Sequence, residues 1–281
     1  MRDPTDVWTR HATQWSRVGP PLRPGPQDAE ALRRLSGPPP RRAPVLVLGL
    51  TIEILRAGWL ADHELLAVDH SAAMWQALWK TPAAPSRPPR LMALRADWRA
   101  LPLAGASVGR VLGDGSLNAL AGPRDARCVL AELHRVLQPG QCAVLRCFVR
   151  DGQAGLPTET LVDEVAAGQV GSFDGLKWRL AMRLADPESG SVAVCLIAST
   201  FDALFPDRGR LARHTAWPRE SIDAIDAYHG SDTHYHFPTL EALRNLAAPG
   251  FALESVHTGS YELARQCPTV RLARRGADQA P

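Results

Sequence analysis

Three acidic residues recur at one kind of place in the chain. Asp69, Asp97 and Asp114 each follow a short, mostly apolar run: Glu64–Val68, Leu91–Ala96 and Arg110–Gly113. Runs of this length and composition read as buried strands. An acid at the end of a buried strand costs desolvation free energy unless it meets a partner. One such Asp is readily explained as the cap of the next turn or helix. Three in register point instead to a polar ligand beyond the strand ends. A fourth run, Val45–Leu48, is stopped by Gly49 and followed by Thr51 and Glu53 at a helix start. A first strand, a glycine turn and a helix start form the place where an α/β sheet receives a nucleotide-like ligand.

A second polar concentration lies far downstream in Tyr228-His-Gly-Ser-Asp-Thr-His-Tyr-His236. In an extended conformation His234 and His236 share one side, with Tyr235 on the other. Three uses are open for this stretch: a general base, a clamp on a substrate, or a metal site completed by Asp232 or His229. The plainer reading is a polar loop whose histidines hydrogen-bond the backbone. We assign His234, Tyr235 and His236 as candidate catalytic residues and expect no metal. Trp178, Trp217 and Arg150 are secondary pocket candidates, and Trp8 and Trp15 can close a pocket from the N-terminal side.

The elements that must hold these residues alternate in type. Strands over 45–48, 64–68, 91–96, 110–113 and 141–149 are separated by helices over 53–60, 72–80 (capped by Ser71) and 124–137. In the last, Val129, Leu130, Leu133, Val136 and Leu137 recur at helical spacing. Pro139-Gly140 stops that helix. This alternation implies a parallel sheet with helices on both faces, with ligands beyond the carboxyl ends of its strands. Residues 151–237 read as a mostly helical insertion that covers the crevice. Residues 238–281 supply a helix capped by Thr239 and two closing strands, over 251–263 and 269–274, that can pair antiparallel. Residues 1–42 read as an N-terminal flap: a helix over 6–18, a proline-rich strap over 19–26 and a short helix over 28–35. The core is then 43–150.

Composition narrows the function classes. The chain has 281 residues, 45% hydrophobic and 22% charged, with a net charge of +3. All but two (Lys80 and Lys177) of its 32 basic residues are arginine, and none forms a run that suggests nucleic acid. No apolar run approaches the roughly 20 residues of a membrane helix. The N-terminus lacks the apolar segment of a signal peptide, so a cytoplasmic location is expected, with no membrane partner. The five cysteines are odd in number and scattered without a C-x-x-C, which reads as reduced packing residues.

The combined pattern resembles the class I S-adenosylmethionine-dependent methyltransferases, which have a Rossmann-like seven-stranded sheet. Leu130-Ala-Glu-Leu-His-Arg-Val-Leu-Gln-Pro-Gly140 is similar to the family's helix and Pro-Gly turn before the fifth strand. Ala67-Val-Asp-His-Ser-Ala-Ala-Met74 resembles its acidic loop, Arg95-Ala-Asp-Trp98 its adenine-recognition element, and Leu112-Gly-Asp-Gly-Ser-Leu117 its fourth-strand motif. The resemblance covers about residues 43–150 and is looser through the last two strands. The departure is the cofactor loop, Leu48-Gly-Leu-Thr-Ile-Glu53, which has one glycine where the family usually has several.

The resemblance implies a role for each residue. Gly49 lets the backbone approach the methionine portion, Thr51 compensates for missing glycines, and Glu53 binds the ammonium. Asp69 holds the ribose hydroxyls, His70 and Met74 touch adenine, and Asp97 takes its amine while the Trp98 backbone serves a ring nitrogen. Asp114 and Ser116 line the floor between cofactor and acceptor. The function implied is methyl transfer from S-adenosylmethionine, leaving S-adenosylhomocysteine, to an O or N nucleophile of a small molecule or a peptide. Two alternatives stay open: a non-catalytic homologue that binds a partner or senses the cofactor, and a nicotinamide-dependent oxidoreductase, which lacks a G-x-G-x-x-G.

Overall fold

The computed structural model describes residues 19–72, 74–76 and 90–276. The predicted helix over 6–18, with Trp8 and Trp15, lies outside them, as do part of the helix over 72–80 and the loop that follows it.

The strands form where the sequence is a short apolar run. β1 (Val45–Leu48), β2 (Leu65–Asp69), β3 (Leu91–Arg95), β4 (Arg110–Asp114) and β5 (Cys142–Arg146) are all parallel. Two small strands follow, β6 (Ser191–Ala193) and β7 (His234–His236), and then β8 (Phe251–His257) and β9 (Thr269–Arg274). The main sheet has seven strands in the order β3-β2-β1-β4-β5-β9-β8, and β9 is antiparallel to both neighbours. Among the described residues β6 and β7 form a separate antiparallel pair.

The pleat divides the core between the two faces of the sheet. Leu46, Leu48, Val111 and Leu145 pack with the helices over Pro123–Val136 and Leu240–Ala247. Val45, Val47, Leu112 and Val144 pack with Leu32 of the Pro26–Ser36 helix and with Ile54 and Leu60. Both faces are covered, so every β1 side chain is buried. The predicted helix over 53–60 is shorter than expected. It is one turn, Ile52–Leu55, then a 3-10 turn over Gly58–Leu60.

Between β5 and the closing strands, helices over Thr160–Ala166, Phe173–Leu184, Val194–Leu204 and Arg208–Thr215 build a cap. The cap has its own apolar core, which includes Phe173, Trp178, Phe201, Tyr228 and Tyr235. β6 interrupts the insertion over 151–237 that the sequence presents as mostly helical. Three residues are too few for a period to show in sequence. No helix among the described residues is long and apolar enough to cross a membrane.

Candidate active site

The chain runs β1, β2, β3 outward on one side and then returns to place β4 on the other side of β1. The strand order reverses there, and a crevice opens beyond the strand ends at such a point. A cleft of about 300 Å³ occupies it. Leu48–Thr51 at the end of β1, Asp69 and His70 at the end of β2, Asp97–Arg99 after β3 and Asp114–Ser116 at the end of β4 line it, with Met74 and Asp125.

Gly49 has φ +84°, in the region that favours glycine. Its amide donates to the Val68 carbonyl at 2.9 Å, which closes the turn onto β2. A Cβ there would lie 3.8 Å from the Trp98 ring and 4.0 Å from Asp69 Oδ2. The backbone therefore comes close to both the acid and the indole. Gly113 is also fixed by space: a Cβ would fall 2.5 Å from Ser116 Oγ. The single glycine after β1 is thus supported by a second one inside β4.

Asp69 is buried, and its Oδ1 accepts the Ser71 amide at 2.8 Å. Burial raises its pKa, against the opposing pull of the Ser71 amide and of His70, whose Nδ1 is 3.9 Å away. Among the described residues no side chain donates to this carboxylate. A buried acceptor of this kind gains most from a ligand that brings hydroxyl donors.

Trp98 is held by its indole, whose Nε1 donates to the Val68 carbonyl at 2.8 Å. Asp97 is less free than its position in sequence suggests. Arg99 pairs with it at 2.7 Å and with Asp125 at 3.1 Å. The guanidinium hydrogen bonds hold the Asp97 carboxyl below its usual range.

Asp114 sits on the cleft wall. The β4–β5 register sets it opposite Arg146, whose Nη1 donates to its Oδ1 at 2.6 Å. Burial pushes the Asp114 pKa up to about 6; Arg146 pulls it down, while Glu53 and Asp28 push it further up. Arg146 is fully buried. It also donates to the carbonyls of Pro21 and Arg23 and lies 3.6 Å from Asp28, so it ties the N-terminal strap to the sheet.

Two groups singled out from sequence are not among the residues that line the cleft. Glu53 does not line the cleft; its Oε1 accepts from Arg23 Nε at 2.9 Å, and its Oε2 is buried without a partner. The strap holds the acid that the resemblance gave to the cofactor's ammonium. The trio His234, Tyr235 and His236 lies on β7, and none of the three lines the cleft. Register with β6 turns Tyr235 into the cap core, where it packs on Trp178 and Phe237 and its hydroxyl meets that of Tyr228 at 3.3 Å. Burial raises both phenol pKa values. His236 is buried and its pKa falls to about 4, mainly by desolvation. His234 is exposed, with Nδ1 beside the Asp232 carbonyl at 3.1 Å. Asp232 and His229 join no group of three or more metal-ligating side chains among the described residues.

Arg99, Asp125 and Arg146 are site residues that the sequence reading passed over. Arg146 left a signal: a lone cation inside the apolar run Cys142–Val149 needs a buried partner.

No protein-family model matches the sequence, and no curated protein sequence does. Solved structures do match its fold. The CcbJ methyltransferase from Streptomyces caelestis superposes with a TM-score of 0.63 at 17% identity, covering 98% of this chain and 100% of that one. A Rhodobacter sphaeroides structure described as a Zn-dependent alcohol dehydrogenase gives 0.61 at 16%, with 98% and 100% covered. A SAM-dependent methyltransferase from Methanosarcina mazei gives 0.50 at 14%, with 90% and 99% covered. With its strand order and antiparallel β9, the chain has the class I S-adenosylmethionine-dependent methyltransferase fold.

Proposed function

We propose that the protein transfers a methyl group from S-adenosylmethionine to an O or N nucleophile of a small molecule or a peptide. The observation that carries this reading is the buried Asp69 carboxylate, to which no side chain among the described residues donates a hydrogen bond, beside the Gly49 turn in a cleft at the reversal of strand order. The donor set fits the cofactor. Asp69 would accept from the ribose hydroxyls, and Gly49 and Thr51 would meet the methionine portion. His70, Met74, Asp97 and Trp98 would surround adenine, with Ser116 and Asp114 on the floor. The cofactor supplies a methyl group on a positively charged sulfur. The chain supplies alignment, exclusion of water and acidic side chains. Four aspartates and one arginine line the cleft, a balance that suits a cationic donor.

The engagement of Glu53 by Arg23 favours one second reading, a homologue that binds the cofactor without turnover. Calorimetry with S-adenosylmethionine, S-adenosylhomocysteine and NAD separates the readings. Saturable binding of the two sulfur compounds supports the first. Binding of NAD alone sinks it. Binding followed by no transfer to any amine, phenol or peptide favours the second.

A further inference from the structure

We propose that the methyl acceptor is an amine whose ammonium group binds against the Asp114 carboxylate. This rests on the methyltransferase reading above and narrows its O or N nucleophile to nitrogen.

The inference comes from which charges around the tip of β4 are spent and which are not. Three carboxylates, Asp28, Glu53 and Asp114, stand with two guanidinium groups, Arg23 and Arg146. Asp28 is closed: its Oδ2 accepts the Gly25 amide at 2.8 Å and its Oδ1 the Tyr261 hydroxyl at 2.7 Å. Arg146 is committed through both terminal nitrogens to Asp114 and to the carbonyls of Pro21 and Arg23; its Nε, 3.6 Å from Asp28, makes no hydrogen bond. Two carboxylate oxygens are left over. Glu53 Oε2 is buried without a hydrogen bond, and Asp114, on the cleft wall, is bonded through Oδ1 alone among the described residues.

The surplus is therefore one of negative charge and of acceptors. An anionic acceptor molecule would meet Asp114 with the nearby guanidinium groups already engaged. A hydroxyl offers one donor. An ammonium offers up to three donors and the charge that balances the cluster, and charge-assisted hydrogen bonds are the stronger ones. Just behind Gly115 stands the Phe148 ring, 3.0 Å from where a Cβ would be, and it meets Trp178 edge-on. Leu48, Leu50 and Leu120 line the same cleft, and an apolar or aromatic body on the amine suits them.

An ammonium has no lone pair, so one N–H bond must break before nitrogen can attack. Asp114 takes that proton and the electron pair stays on nitrogen. This pair forms the new N–CH3 bond while the methyl carbon's bond to sulfur breaks, its electrons remaining on sulfur. Asp114 then returns the proton to water.

The test is calorimetry on the full chain saturated with S-adenosylhomocysteine, using benzylamine, benzyl alcohol and benzoate as probes of one shape. The expected result is benzylamine binding about 10-fold or more tighter than benzyl alcohol, with benzoate weakest. That preference falls to near parity in Asp114→Asn and by a smaller factor in Glu53→Gln, a second variant should the first fold poorly. Equal or tighter binding of the alcohol or the acid overturns the inference, as does no binding of the amine or a preference that survives both variants. Loss of S-adenosylhomocysteine binding by the unaltered protein would instead remove the underlying methyltransferase reading.

Discussion

The cleft and the helical cap both bury polar side chains, and they treat them in opposite ways. In the cap the charges are spent internally. Arg183 bonds Gln153, Thr160, Glu164 and the Pro157 carbonyl, and Lys177 pairs with Asp174 at 3.1 Å. In the cleft, Asp69 and Asp114 each accept one hydrogen bond among the described residues, and capacity to accept remains. A satisfied buried polar group rigidifies a fold. An unsatisfied one carries a cost that a ligand can remove. Neutral orphans of the cap among the described residues, the Trp178 indole nitrogen and His236 Nδ1, cost less to leave unpaired than a carboxylate would.

Arg146 joins the two treatments, because it satisfies the strap and leaves Asp114 half free. Its replacement should have the largest effect. Arg146→Met strands Asp28 and Asp114 in the interior, and we expect it to cost about 3–5 kcal/mol by denaturant unfolding. Adding Asp114→Asn should return part of that loss. If the single variant costs under about 1 kcal/mol, the buried node does not hold the strap.

His236 tests the cap side. Its folded pKa of about 4 lies below its ordinary 6.5, so folding favours the neutral ring. The stability this gives is complete above pH 6.5 and is lost as pH falls toward 4. The full difference is about 3 kcal/mol, and His236→Gln should remove it from the unfolding profile between those pH values. An unchanged profile would mean that the ring is not buried neutral.

Tyr235→Phe should do least. It removes one 3.3 Å contact between hydroxyls and should cost about 1 kcal/mol of stability. Once methyl transfer is measurable, turnover should change less than about 3-fold, which is under 1 kcal/mol of barrier. A loss of turnover with folding intact would return β7 to the catalytic machinery.

Much of this division was legible in the chain. Val45–Leu48 and Cys142–Val149 announce buried parallel strands because they are apolar on both faces, and the acids after the strands fall where such sheets bind ligands. The side chains that compete for those acids were not legible. Arg99 reaches back two residues to Asp97, and Arg23 crosses 30 positions to Glu53. The fate of Tyr228–His236 was hidden for another reason. Tyr235 and His236 of this polar-looking stretch are buried while His234 stays exposed, because three residues of β7 register with β6, and alternation over three residues is too short to read.

The most direct measurement is the affinity of S-adenosylhomocysteine for the unaltered protein and for Asp69→Asn. Hydrogen bonds to a buried charge contribute roughly 1.5–3 kcal/mol, so the variant should bind about 10- to 100-fold more weakly while unfolding at a similar denaturant concentration. Equal affinity in the two proteins, or no saturable binding to either, would contradict the assignment of this cleft to the cofactor.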